Sequence, residues 1–369
     1  MMHHAWWYIS AISTFFISVA AYTPFEKIHD HHYCIILAGG HGQRLWPLTS
    51  PTMPKPLLSL DGTNTLLEQT MERVRPLVNA ENMWLCVTQD YHDCFDKAVK
   101  SSITTFVTEP AARNTGPAVL YACFQLYRHD PDAIVFFLPA DAYIPSYDYD
   151  LFRSYIEKGF AAAYTFPSSI IIFGQKPRFP STGYGYIEVD YTSSYQAPYT
   201  VISFHEKPNS EVAQLYFKLD TMLWNTCMFC APVRTFLEQY RMYAPVMVDA
   251  MEAYQEGIIS YTDIMAEPID RVVIEKSAQI KVIPMDICAE DVGTVESFLN
   301  IQKKYTDSHT LITLDASHVH ACSQEKKIVG VIGLDDIYIV DTPSALLIMK
   351  KGMSEKIKHL LTRLSAQKK

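Results

Sequence analysis

The residues best suited to chemistry lie between Leu37 and Pro56, in the stretch LAGGHGQRLWPLTSPTMPKP. Gly39, Gly40 and Gly42 let a backbone turn sharply and bring its N–H groups against an anion. Arg44 and Lys55 add two cations to the same loop, and Lys55 is held between Pro54 and Pro56. An apolar run, Tyr33-Cys34-Ile35-Ile36, leads into Leu37, Ala38 and the glycines. A strand that empties into glycines and fixed positive charge is suited to holding a nucleoside triphosphate. Two other phosphate loops fit badly. No G-x-x-x-x-G-K-[ST] occurs, and Leu45 takes the place of the last glycine in G-x-G-x-x-G, which argues against a Rossmann oxidoreductase.

The elements around this loop alternate. Strands are expected at Cys34 to Leu37, Trp84 to Val87, Thr104 to Val107, Ile134 to Leu138 and Ile170 to Phe173. Helices are expected between them: one opened by the capping box Thr65-x-x-Glu68 and ending at Pro76, then Tyr91 to Lys100, Thr115 to Arg128 and Asp150 to Tyr164. Such alternation means a mostly parallel sheet with helices on both faces. Ligands then sit beyond the C-terminal ends of the strands, where the glycine loop, Glu109 and Asp141 fall. A carboxylate at Asp141 suits magnesium, which takes one or two carboxylates together with water and phosphate. From Thr182 to Phe229 short aromatic-rich segments suit an antiparallel lid, and helices are expected over much of Pro232 to Gln255. Beyond Gly293 we expect a helix, strands at Leu311 to Asp315, Ile328 to Gly333 and Ile337 to Asp341, and a terminal helix from about Pro343. No internal repeat is visible.

The loop, with LAGG-x-G-x-RLWPLT followed by PKP, resembles the sugar-1-phosphate nucleotidylyltransferase family, in its guanylyl branch acting on mannose 1-phosphate. Further segments match in order: EPAARNTGPA, FFLPAD, STGYGYIE, FHEKPN, WNTCMF, VIEKS, EDVGT and IGLDDIYIVDTPSALLI. The resemblance runs from about residue 33 to the C-terminus. It implies a Rossmann-like, GT-A-like catalytic domain over residues 31–298 and a small β-rich domain over 299–369 with dimer contacts. The reaction implied is GTP plus α-mannose 1-phosphate giving GDP-mannose and pyrophosphate, with Mg2+ as cofactor.

The resemblance also implies roles for residues. Arg44 and Lys55 would neutralise the triphosphate, and Leu37, Ala38, Gly39, Gly40 and Gly42 would cradle it. Asp141 and Asp291 would hold the metal. Arg113 and Asn114 would contribute to nucleotide recognition, although Arg113 is equally suited to an ion pair with Glu109. Gly183, Tyr184, Glu206, Lys207 and Asn225 would hold the sugar phosphate. This chain departs from the family at Ala142, where histidine is usual, at Cys227, where WNSGMF would have glycine, and around Asp291, where Ala289 and Val295 stand near positions that are usually aromatic. These departures support a rival reading, a binding or regulatory protein that keeps the pocket without turnover; Asp141, Asp291, Arg44 and Lys55 are all present, so the enzyme is the reading expected. The chain ends where some relatives continue into a phosphomannose isomerase domain, so that second activity is not expected.

Composition bounds the partners. The 369 residues carry a net charge of −9, and no basic patch is visible to neutralise a nucleic-acid backbone. Eight scattered cysteines point to a reducing, cytoplasmic setting, and Cys227-x-x-Cys230 has no second pair to complete a zinc site. Residues 1–30 lie outside the resemblance. Their apolar stretch Ala5 to Tyr22 contains interspersed Ser and Thr and no Lys or Arg before it, so an unstructured extension or an upstream start is expected in preference to a membrane anchor. His29, His31 and His32 read as a polar junction before the first strand.

Overall fold

The computed structural model describes residues 29–367 apart from 41, 100, 101, 104, 306–310 and 326. The expected N-terminal extension therefore lies almost wholly outside the described residues.

Apolar runs that end in glycine, proline or acid form the strands. They are β1 His32–Leu37, β2 Met83–Thr88, β3 Thr105–Glu109, β4 Ile134–Pro139, the two-residue β5 Ala142–Tyr143, and β6 Ile170–Gln175. Next come β7 Tyr186–Asp190, β8 Tyr199–His205, β9 Met222–Pro232, β10 Ile280–Met285 and the short β11 Glu290–Asp291. Among the described residues one nine-stranded sheet has the order β3-β2-β1-β4-β9-β6-β10-β8-β7. Strands β1 to β4 pair in parallel, β9 runs against both β4 and β6, and β10 rejoins β6 in parallel. Because β2 and β4 flank β1, the chain's course reverses there, and in such sheets ligands sit beyond the strand ends at that point.

Helices cover both faces. They are α1 Leu66–Val74, α2 Gln89–Val99, α3 Thr115–His129, α4 Tyr149–Thr165, α5 Ser210–Phe217, α6 Val233–Tyr243, α7 Pro245–Gln255 and α8 Val295–Gln302. The Thr65 side chain accepts the Glu68 N–H and the Glu68 carboxylate accepts the Thr65 N–H, so the capping box forms as read. One buried layer holds Ile35, Phe137, Val119 and Phe236; the other holds Ile36, Phe136, Phe152 and Phe173.

Three expectations need correction. The segment from Thr182 to Phe229 is not a separate lid: β7, β8 and β9 hydrogen-bond into the main sheet and extend it. A terminal helix does not start near Pro343. Leu346–Lys350 is strand β16, with Leu347 and Met349 inward and Leu346 and Ile348 exposed, and helix α9 is Ile357–Gln367. The apolar run LLIM fits either element, and antiparallel pairing with Ile337–Asp341 decides it.

The third concerns repeats. Strands β12 Leu311–Leu314, β13 His320–Ser323, β14 Val329–Ile332 and β15 Ile337–Asp341 form two parallel pairs, β12 with β14 and β13 with β15. Each residue stacks on the one 18 further along, as Ser317 does on Asp335 and Ser323 on Asp341. The C-terminal region is thus a short parallel coil with an 18-residue turn. The sequence hides that period because the stacked residues, such as Ile312 on Gly330 and Ala321 on Ile339, are not alike. The coil packs on the glycine loop, since Val340, Leu347, Met349 and Ile357 share a buried cluster with Leu45 and Leu48.

Candidate active site

The glycine loop leaves β1 at its C-terminal end, where the Ala140 N–H donates to the Leu37 carbonyl and the Ala38 N–H to that of Cys86. Gly42 has φ +57, and a Cβ there would stand 2.9 Å from the Lys55 Cβ, so only glycine lets the loop close over Lys55. A Cβ on Gly39 would meet the Glu109 carboxylate at 3.4 Å. Glu109, at the end of β3, is buried and accepts the Tyr261 hydroxyl at 2.6 Å.

Lys55 is the centre of the site. It is 7% exposed, and its Nζ lies 2.7 Å from Asp141 Oδ2 and 2.9 Å from Asp291 Oδ1. The two carboxylates converge because β5 pairs with β11, placing Asp291 opposite Ala142, the neighbour of Asp141. That pairing uses backbone groups, so alanine serves where a histidine was expected. Buried Arg73 donates to the Ala142 carbonyl at 2.9 Å and braces the turn. Burial works against a charged Lys55, yet Asp141 and Asp291 hold its pKa above the ordinary value. Burial likewise disfavours a charged Asp291, but Lys55, with Arg44 and Lys207 further off, brings its carboxyl below the usual range.

Two carboxylates already gripping one cation fit magnesium. Among the described residues no group of three His, Cys, Asp or Glu side chains forms, and magnesium characteristically takes its remaining ligands from water and phosphate.

The residues expected to hold a sugar phosphate continue from the same point. The Tyr184 hydroxyl accepts the Asp291 N–H at 3.3 Å, and its ring stacks on Trp224. Gly183 lies in the turn before Tyr184, its N–H on the Ser181 hydroxyl. A Cβ on Gly185 would lie 2.8 Å from Glu206 Oε2 and 3.4 Å from the Asn225 Cβ, so this glycine permits a close approach. Lys207 meets Glu206 at 2.6 Å, and Asn225 donates to the buried Asp270 at 2.7 Å. Burial raises the Asp270 pKa to about 6. Lys55, Asp291, Tyr184, Glu206, Lys207 and Asn225 therefore line one continuous region.

Three residues are placed differently. Arg113 does not pair with Glu109: its Nε and Nη2 both donate to the Ile264 carbonyl, at 2.9 and 2.6 Å. Asn114, at φ +73, spends its side chain on the N–H of Thr115 as cap of α3. Arg44 points toward the C-terminal coil and pairs with Glu355 at 2.7 Å. Asp270, Tyr261 and Glu355 were not singled out from sequence. An acid within the apolar stretch around Ile269 and Val272 was the available signal for Asp270; nothing local announced the others.

This combination of sheet, glycine loop and paired carboxylates defines a nucleotide-handling α/β protein. The Nucleotidyl transferase family model matches residues 33–308, and the chain belongs to that family. It is 31% identical over 91% of its length to mannose-1-phosphate guanylyltransferase 2 of Escherichia coli O157:H7, of which it covers 74%. It is 30% identical to mannose-1-phosphate guanylyltransferase of Escherichia coli K12, over 90% of this chain and 73% of that one. The crystal structure titled mannose-1-phosphate geranyltransferase, from Thermus thermophilus, superposes with a TM-score of 0.77 at 26% identity, over 91% of this chain and 99% of that one. The chain is a nucleotidyltransferase. Among the described residues no helix is long and apolar enough to cross a membrane.

Proposed function

We propose that the protein transfers GMP from GTP to α-D-mannose 1-phosphate, releasing pyrophosphate and forming GDP-mannose. The observation that carries this reading is the Lys55 ammonium held between Asp141 and Asp291 beneath a glycine loop. A sugar-phosphate oxygen forms a bond to the α-phosphorus as the bond from that phosphorus to the pyrophosphate oxygen breaks, in line. The attacking oxygen is already an anion, so no general base and no proton transfer are needed. The work is to bring two repelling anions together and neutralise the leaving group.

In this reading the amides of Gly39, Gly40 and Gly42 and the Arg44 guanidinium take the β- and γ-phosphates. Lys55 stands beside the transferring phosphoryl group. Magnesium, when bound by Asp141 and Asp291, supplies charge neutralisation between the phosphates. Glu206, Lys207 and Asn225 orient the sugar 1-phosphate. A cytoplasmic location accords with a supply of GTP. The exposed apolar face of the coil, with Ile312, Leu314, Ile332 and Ile348, suits a homodimer contact, which sedimentation would test.

The test is pyrophosphate release with magnesium, crossing GTP, ATP, UTP and dTTP with mannose 1-phosphate and glucose 1-phosphate. Release with GTP and mannose 1-phosphate alone is the expected result. Another productive pair replaces the substrate and keeps the mechanism. Silence with every pair from a folded, GTP-binding protein favours a regulatory role.

A further inference from the structure

Cys227 stands in β9 with φ +55, a left-handed conformation in which glycine is the favoured residue. The chain nevertheless carries a side chain there, and it is exposed, whereas Met228, Phe229 and Cys230 beside it are buried. Its surroundings are those of the sugar-side cluster. The Asn225 amide nitrogen lies 3.7 Å from Cys227 Sγ, and the Cys227 N–H donates to the Asn225 carbonyl oxygen at 3.2 Å. In the same strand Trp224 is buried and stacked on Tyr184, so the floor beside Cys227 is aromatic and fixed.

We propose that the Cys227 side chain is a specificity-determining wall of the sugar-phosphate subsite, restricting it to hexose 1-phosphates whose substituent facing Sγ is no larger than a hydroxyl. This rests on the reading that a sugar 1-phosphate lies along Glu206, Lys207 and Asn225. With glycine at 227 that volume would be open to a bulkier group. The side chain narrows it at a cost in backbone strain. Differences of one or two heavy atoms in a pocket alter discrimination by roughly tenfold or more.

The test compares the wild type with Cys227→Gly, Cys227→Ala and Cys227→Ser on mannose 1-phosphate, glucose 1-phosphate and N-acetylglucosamine 1-phosphate. The expected result is that Cys227→Gly shifts the kcat/KM ratio toward the N-acetyl sugar by about tenfold. Alanine should fall between, serine near the wild type, and the KM for GTP should not move. An unchanged ratio across the series overturns the proposal. A second readout needs no turnover: maleimide labelling of the wild type, followed by peptide mass spectrometry. Mannose 1-phosphate should protect Cys227 and GTP alone should not. Full labelling under saturating sugar phosphate, in a protein that turns over, overturns the wall and leaves the transferase reading standing. Protection without turnover supports the wall and counts against that reading.

Discussion

At Lys55 three charges share a small volume, and each depends on the others. Removing the cation leaves two carboxylates facing each other. The Asp141 and Asp291 side chains are 31% and 48% exposed, so water screens part of that repulsion and the loss should be about 1–2 kcal/mol, less than for a fully buried pair. Lys55→Met is therefore expected to melt below the wild type in EDTA and to recover with magnesium more than the wild type gains. Its kcat should fall by about a hundredfold or more. Thermal melts with chelator and with magnesium check the first point; a variant that melts like the wild type in EDTA would show that the carboxylates do not rely on Lys55. Glu109 gives a pH signature of the opposite kind. Burial raises its pKa from 4.5 to about 7, against the hydrogen bonds from Tyr261 and Cys86. The folded protein therefore binds this proton more tightly than the unfolded chain. The stabilisation is complete below about pH 4.5 and is lost as the pH rises through about 7, on the order of 3 kcal/mol in all. Glu109→Gln should flatten that fall, and urea midpoints at about pH 5 and about pH 7.5 would show it. Asp270 shifts with the same sign, to about 6, so a shallower slope should persist. A variant with the full wild-type slope would assign the effect elsewhere.

Among the elements, α3 shows how close packing positions a site. The Gly116 N–H donates to the Glu267 carbonyl at 3.0 Å, and a Cβ on Gly116 would stand 2.3 Å from that oxygen. Gly116→Ala must push the first turn of α3 off the 261–269 segment, costing about 1–3 kcal/mol. Arg113 grips Ile264 in that same segment, and Tyr261 reaches Glu109 beneath the glycine loop. The shift should raise the KM for GTP more than the KM for the sugar phosphate, together with a lower melting temperature; equal changes in both KM values would mean that this seam does not serve the nucleotide. The parallel strands and their helices were legible in the sequence because each apolar run is closed by glycine, proline or a cap, as at Thr65 and Pro139. Strand β16 was not, because LLIM satisfies a buried helix and a half-exposed strand equally. The glycine loop and Lys55 were legible because backbone freedom and charge lie within one loop, and Asp141 because it follows the very apolar run of β4. The bonds of Arg113 to Ile264 and of Asn225 to Asp270 were not, since each joins residues far apart along the chain and only the folded sheet decides the partner.

On the scale of the whole molecule, the C-terminal coil is built into the glycine loop. Leu45 and Leu48 are buried with Val340, Leu347, Met349 and Ile357. Ser354, beside Glu355, hydrogen-bonds to Glu296 at the start of α8. This framework delivers Glu355 to Arg44, 311 residues away in sequence, where they pair at 2.7 Å. Both side chains are open to solvent, at 37% and 67%, and such a pair is worth no more than about 1 kcal/mol. A triphosphate carries more charge than one carboxylate, so it should displace Glu355 from Arg44. Glu355→Gln removes the competitor, and the KM for GTP should then fall by up to about fivefold with little change in kcat. The effect should shrink as added salt shortens the Debye length below about 10 Å. Steady-state kinetics at low and high salt decide the direction. A rise in KM would mean that Glu355 holds Arg44 in the posture that receives the phosphates. In that case the coil completes the nucleotide site, and the loop would need its distant C-terminal partner to bind at all.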